Sequence, residues 1–208
     1  MSRLEVNFYF SPGSRYSYLA ASQMGALELD TGRSVDWLPV NGGDIRAKRG
    51  RDPFVGEPVS GQYEHAYRHQ DASAWAHFYG IPFREPPAEI DFRLLVRAAE
   101  SARQLGSVAS YGWELARSVY GTDEWPIDEA LCVRVAGRLE IPTGKFRELL
   151  HSLAIARSIM ATADAAHARG AFGVPTFFFG DRMFWGNDRI PLLRHALREA
   201  RSGADPSR

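Results

Sequence analysis

Hydrophobic and polar positions alternate at the start of the chain, then change period within a dozen residues. Leu4, Val6, Phe8 and Phe10 are separated by Glu5, Asn7 and Tyr9, a period of two that predicts a strand over 4–10. Ser11, Pro12 and Gly13 form a turn cluster. From Ser14 onward Tyr16, Leu19, Ala20, Gln23, Met24 and Leu27 recur at three and four, which predicts one helix ending near Gly32. A second strand is expected around 34–38. Strand, helix and strand in so short a span predict a parallel βαβ unit, because parallel neighbours need a crossover of this length.

The middle of the chain changes character. Residues 43–59 are rich in Gly, Pro and charge and read as a loop. Helical patterns follow over 61–79, 91–105, 107–120, 126–139, 143–151 and 153–169. Leu94, Leu95, Ala98, Ala99, Ala102 and Leu105 share one face of the second of these. Pro82, Pro86, Pro87, Pro126 and Pro142 mark boundaries. The β signal then returns: 176–179 reads as a buried strand, Gly180-Asp181 as a hairpin turn and 182–185 as its partner. Asn187 or Asp188 is expected to cap a last helix carrying Ile190, Leu193 and Leu197 on one face. The resulting expectation is an α/β fold. One domain is assembled from both termini, 1–42 and 170–208, and a helical insertion occupies 43–169.

Composition narrows the function. Lys plus Arg and Asp plus Glu are each 25 and the net charge is zero, which gives no reason to expect a nucleic-acid or anionic-membrane partner. No apolar run is long enough to span a bilayer, and Met1–Glu5 lack the apolar stretch of a signal peptide, so the cytoplasm is the expected location. The single Cys132 excludes an intrachain disulfide and therefore dithiol exchange. Its apolar helical surroundings read as core. His65 and His69 share a helix face without an evident third ligand, so no metal is expected. Tyr63, Tyr67 and Trp75 in the same segment either line an aromatic pocket or belong to the core.

Three constellations carry chemistry. In the first, Ser14 stands where a strand passes through a tight turn into a helix, beside unpaired N–H groups that stabilise negative charge; Ser also favours that place simply as an N-cap. In the second, Gly170-Ala171-Phe172-Gly173-Val174-Pro175 places a proline, with a cis bond expected before it, at the opening of a strand. Such a turn offers the Val174 backbone to a peptide-like ligand. In the third, Phe184-Trp185-Gly186-Asn187-Asp188-Arg189 combines a helix start with a carboxylate. Asn187 and Asp188 are thus candidates to read an amino-acid head group or, more plainly, to cap the helix.

Taken together these motifs resemble those of the 2-hydroxychromene-2-carboxylate isomerases and the kappa-class glutathione transferases, relatives of the DsbA-type oxidoreductases with a thioredoxin-like fold. Their N-terminal strand leads into Ser-Pro-Tyr-Ser-Tyr or -Trp, where this chain has Ser14-Arg15-Tyr16-Ser17-Tyr18. Their two C-terminal motifs match 170–175 and 184–189, and the resemblance extends through the insertion. It implies glutathione as cofactor. Ser14 would donate a hydrogen bond to its sulfur, the Val174 backbone before a cis Pro175 would pair with its cysteinyl unit, and Asn187 and Asp188 would hold its γ-glutamyl head. It also implies a small aromatic substrate, with homodimers common among the relatives. Two departures stand out. Arg15 replaces the usual proline, and reads as facing water or meeting an acidic substrate. The family's lysine for the glycine carboxylate of glutathione falls near Glu64, leaving Arg46, Lys48, Arg49 and Arg51 as substitutes. Three readings follow: an isomerase of a conjugated aromatic acid, a kappa-type transferase and a non-catalytic binder of glutathione or a peptide.

Overall fold

The computed structural model describes residues 5–48, 64–87, 89–122 and 124–201. Leu4, Arg49, Arg51 and Tyr63 lie outside them. A mixed sheet has the order β2 (Val35–Pro39), β1 (Val6–Phe10), β3 (Thr176–Phe179), β4 (Arg182–Trp185). β1 and β2 run parallel with Val6 opposite Val35, as the βαβ expectation requires, and β3 is antiparallel to both β1 and β4. The two ends of the chain therefore meet in the middle of the sheet, where Phe8 faces Phe177 across the ladder.

The alternation in β1 decides what each face binds. Val6, Phe8 and Phe10 point to one side and join Trp37, Phe177, Phe179 and Phe184 in the main core. Phe8 stacks on Phe177 with centroids 4.8 Å apart and meets the edge of Trp37 at 4.9 Å, geometries that add to simple burial. This face is covered by α1 (Arg15–Ala21), α2 (Met24–Thr31), α10 (Ile190–Arg201) and two helices of the central segment, α5 (Phe92–Gln104) and α6 (Val108–Tyr120). Gly112 lets α6 come close, since a Cβ there would lie 2.8 Å from the Phe10 ring. Tyr9 and Phe178 point to the other side, against Ile45 of α3 (Gly42–Ala47) and Ala163 and Ala166 of α9 (Leu153–Ala168). Arg169 fastens the end of α9 there. Its guanidinium lies 3.9 Å over the Phe178 ring and donates to Asn7 Oδ1 and the Gly180 carbonyl.

The central segment also holds α4 (His65–Tyr79), α7 (Glu129–Arg138) and α8 (Thr143–His151). α5 is its hub, with Leu95, Ala98, Ala99 and Ala102 fully buried. Cys132 is buried in α7, where burial pushes its thiol up to about 12, as a core residue should behave.

The helical boundaries correct three expectations. The helix foreseen from Ser14 to Gly32 is two helices. At the break Ser22 donates its hydroxyl to the Leu19 carbonyl and accepts from Gln23 Nε2, the back-bonding that bends helices at serine. The segment from 43 read as loop begins with α3, because Asn41 caps it by accepting from the Gly43 N–H at 2.9 Å. Neither Asn187 nor Asp188 caps α10: residues 187–189 form a 3₁₀ turn, preceded by Gly186 and running directly into the helix.

Candidate active site

The Ser11–Gly13 turn leaves the C-terminal end of β1, and its closure sets Ser14. The Ser14 N–H donates to the Ser11 carbonyl at 2.9 Å, while the Ser11 N–H donates to Ser17 Oγ. Ser14 itself is extended (φ −93°, ψ 121°) and is the N-cap of α1, its Oγ accepting from the Ser17 N–H at 3.3 Å. A hydroxyl has one donor and two acceptor sites. Capping occupies an acceptor site and leaves the O–H free to donate outward, so the cap and the thiol-binding role are compatible.

Behind this turn stands α6. Tyr120 donates its hydroxyl to the Gly13 carbonyl at 2.5 Å, and Tyr18 donates to the Pro82 carbonyl at 2.6 Å. Burial raises both phenols, that of Tyr18 to about 12. The Tyr120 ring stacks on Phe83 with centroids 5.8 Å apart. Arg15 does not face water. Its side chain is 12% exposed, with Nη1 2.7 Å from Oε1 of Glu85, itself 18% exposed. His69 Nδ1 lies 3.7 Å from the same oxygen. Arg68 is half-buried nearby; desolvation first, and then the charge of Arg15, lower its pKa. The Tyr16 phenol is pushed up by burial and by its hydrogen bond to Asp71.

The peptide before Pro175 is cis. The Pro175 carbonyl accepts from the Gly186 N–H at 3.0 Å, which holds the two C-terminal motifs together. α3 starts against this turn: a Cβ on Gly42 would lie 3.2 Å from Val174 Cγ2 and 3.2 Å from Arg46 Nη1. Arg46 is therefore beside Val174, whereas Lys48 is paired with Asp164 at 2.5 Å. Glu64 is the N-cap of α4 and makes no capping bond with its side chain.

Gly186 has φ 106° and ψ 154°, and a Cβ there would collide with Asp188 Oδ1. Only glycine occupies that backbone region readily. Asn187 is buried, its carbonyl accepts from the Tyr79 hydroxyl at 3.2 Å, and its side-chain amide nitrogen meets no acceptor among the described residues. The Asp188 carboxylate is partly exposed, 3.4 Å from Arg189 Nη1.

These parts lie at one end of the sheet. The Ser14 turn follows the end of β1, the Val174 turn precedes β3 where Tyr9 pairs with Thr176, and α1 packs on the 187–189 turn. Crevices beyond the carboxyl ends of parallel strands are the usual ligand sites of α/β sheets. Sequence reasoning missed Arg68, Tyr79, Glu85 and Tyr120, which reach the site from scattered positions without a local motif. Of the aromatic residues singled out in α4, Tyr67 is 53% exposed, while Trp75 packs partly against the main core. No group of three potential metal ligands forms among the described residues, and none of their helices is long and apolar enough to cross a membrane.

The sheet, the crossing helices and the cis proline turn at the same sheet end as Ser14 define a thioredoxin-like protein of DsbA type, and the model of the DSBA-like thioredoxin domain matches residues 5–198. The chain is 30% identical over 203 residues to the 2-hydroxychromene-2-carboxylate isomerase of Pseudomonas putida, covering 97% of this chain and 98% of that protein. A solved 2-hydroxychromene-2-carboxylate isomerase superposes with a TM-score of 0.84 at 31% identity, over 98% of this chain and 99% of its own. The chain belongs to the 2-hydroxychromene-2-carboxylate isomerase family, a family of enzymes within the DSBA-like thioredoxin proteins. The cytosolic disulfide reductase DsbM from Pseudomonas aeruginosa, solved with glutathione, shares the fold with a TM-score of 0.67 at 17% identity, over 95% of this chain and 98% of its own.

Proposed function

We propose that the protein is a glutathione-dependent isomerase of 2-hydroxychromene-2-carboxylate or a closely similar conjugated aromatic acid. The observation that carries this reading is the gathering of the Ser14 hydroxyl, the Val174 backbone and the Asn187–Asp188 turn at one end of the sheet, in a chain similar along its whole length to isomerases of that name. The residues suit a γ-glutamyl tripeptide. Asn187 brings a buried amide donor that meets no acceptor among the described residues, and the absent side chains of Gly42 and Gly186 let Val174 and the Asp188 carboxylate sit close against the main chain.

In this reading Asp188 takes the α-ammonium of the γ-glutamyl head and Asn187 its carboxylate. The Val174 main chain pairs with the cysteinyl unit. Arg46, beside Val174, takes the place of the family's lysine towards the glycine carboxylate. The Ser14 O–H, freed by the capping geometry to point outward, donates to the sulfur and favours its thiolate form. When bound, glutathione would supply a nucleophilic thiolate able to add reversibly to a conjugated double bond, and would be recovered unchanged. The chain's own task is to hold that sulfur ionised and to orient the acid over it.

The test is an absorbance assay of 2-hydroxychromene-2-carboxylate isomerisation with and without reduced glutathione, paired with calorimetric titration of glutathione into wild type and Asp188→Ala. Turnover that needs glutathione without consuming it, and binding lost in Asp188→Ala, are expected. Isomerisation indifferent to glutathione would overturn the cofactor assignment. Steady conjugation of a chloronitrobenzene in place of isomerisation would make the protein a kappa-type transferase, and binding without either activity would make it a binder.

A further inference from the structure

We propose that Arg15, backed by Arg68, is the specificity-determining residue that binds the carboxylate of the substrate, and that Glu85 holds its guanidinium until that carboxylate arrives. The proposal rests on Ser14 being the residue that meets the reacting thiol.

Position comes first. Arg15 follows Ser14 directly and opens α1, so its side chain starts one residue from the hydroxyl that meets the thiol. Its side chain is turned inward at 12% exposure rather than out to water. The second cation, Arg68, sits near enough for the Arg15 charge to act on it. Glu85 pairs with Arg15 at 2.7 Å, and Arg68 adds positive charge at the same place.

The pair with Glu85 is also incomplete. Arg15 Nη1 and Glu85 Oε1 are 2.7 Å apart, yet both atoms are buried and neither makes an aligned hydrogen bond among the described residues. A guanidinium carries five N–H donors in a planar fork suited to bidentate carboxylate binding. Buried donors left without aligned acceptors are expensive to keep, and an incoming carboxylate on the Ser14 side would satisfy them. The walls suit an aromatic acid. The partly buried Phe83 ring stands at the same place, stacked on the buried Tyr120, whose hydroxyl reaches the carbonyl just before Ser14.

The experiment separates charge recognition from turnover. Chromone-2-carboxylate and chromone-2-carboxamide differ in charge and little else. Their affinities are measured by calorimetry at saturating glutathione on wild type, Arg15→Ala, Arg15→Lys and Glu85→Gln. Wild type is expected to favour the acid by about tenfold or more, the range of a charge-assisted hydrogen bond. Arg15→Ala should abolish that preference with little change for the amide, and Arg15→Lys should keep part of it. Glu85→Gln should tighten the acid severalfold by removing its competitor. Equal affinities in wild type, an equal loss of acid and amide in Arg15→Ala, or a weaker acid in Glu85→Gln would each overturn the proposal. Should Arg15→Ala fail to fold, the Glu85→Gln result still decides. An acid preference that follows Arg15 stands even if the chromene carboxylate is not isomerised. Isomerisation with the preference intact in Arg15→Ala would sink this proposal alone.

Discussion

The two sides of the proposed site are made of different material. On the hairpin side, Val174, Pro175 and the 186–188 turn present main chain, fixed by the ladder between β3 and β4 and by the Gly186 N–H bond to the Pro175 carbonyl. On the Ser14 side, the surroundings are side chains from distant segments: Arg68 and His69 from α4, Glu85 from the stretch after it, and Tyr120 from α6. Main chain held by a sheet, with the Asn187 and Asp188 side chains fixed on the turn beside it, keeps one geometry and so suits a constant partner such as a tripeptide. A wall of side chains changes with every substitution and so suits the variable partner, the substrate. Under the proposed function this division assigns cofactor binding to one side and substrate choice to the other, and it is open to attack from both.

The largest effect is expected from Ser14→Ala. Removing a preorganised donor to developing or resident negative charge costs about 10²–10³ in kcat, while the lost N-cap costs about 1 kcal/mol of stability. Glutathione should still bind, held by the hairpin side, but its thiol should titrate at higher pH when followed by thiolate absorbance. An unchanged titration would erase the distinction between the two sides. Gly186→Ala attacks the other side. The backbone there sits at φ 106°, and the new Cβ would press on Asp188 Oδ1. Strain of about 1–3 kcal/mol is expected, with glutathione affinity falling in calorimetry while the thiol that does bind titrates as in wild type.

The same division explains what the sequence made legible. The hairpin side is contiguous: 170–175 and 184–189 are short motifs whose glycines and proline dictate local backbone, so the turn, the strands and the Gly186 position follow from neighbouring residues. The strands that carry the paired rings of Phe8 and Phe177 were likewise legible, the first from its alternation and the second from its unbroken apolar run. The Ser14 side depends on which turn of α4 or α6 faces the sheet end, and single residues such as Glu85 and Tyr120 carry no periodic signal. Arg15 shows the limit well. Its helix-start position was readable, but its inward turn is set by Glu85, seventy residues further along. The helix break at Ser22 and the cap at Asn41 were missed for a related reason: each is decided by one side-chain hydrogen bond that competes with the apolar period.

Tyr120→Phe sharpens the comparison at smaller scale. It deletes the hydroxyl that holds the Gly13 carbonyl and leaves that carbonyl without this donor in a buried setting. A loss of about 1–3 kcal/mol is expected, read as a lower denaturant midpoint. The turn before Ser14 should loosen, lowering kcat while leaving glutathione affinity in place. Lost affinity with kcat intact would mean that α6 supports the hairpin side instead.

The smallest effect vanishes at neutral pH. Burial raises the phenols of Tyr16, Tyr18 and Tyr120 on the Ser14 side, that of Tyr18 from 10.0 to about 12, while Tyr79 is the raised phenol next to the 187–189 turn. A phenol whose folded pKa exceeds its unfolded value binds its proton more tightly when folded. Its stabilising contribution is thus complete below the unfolded value near 10 and is lost as pH climbs through the folded one. Buried Cys132, raised from 9.0 to about 12, adds the same sign from slightly lower pH. Denaturant midpoints should therefore fall between pH 9 and pH 11 through these groups and show no trend from them below pH 8. Tyr120→Phe removes one of the buried protons at stake and should flatten that fall more than Tyr79→Phe does. Equal flattening by the two variants would mean that the phenols on both sides are equally well sealed, and that the Ser14 side owes its character to Arg15, Arg68 and Glu85 alone.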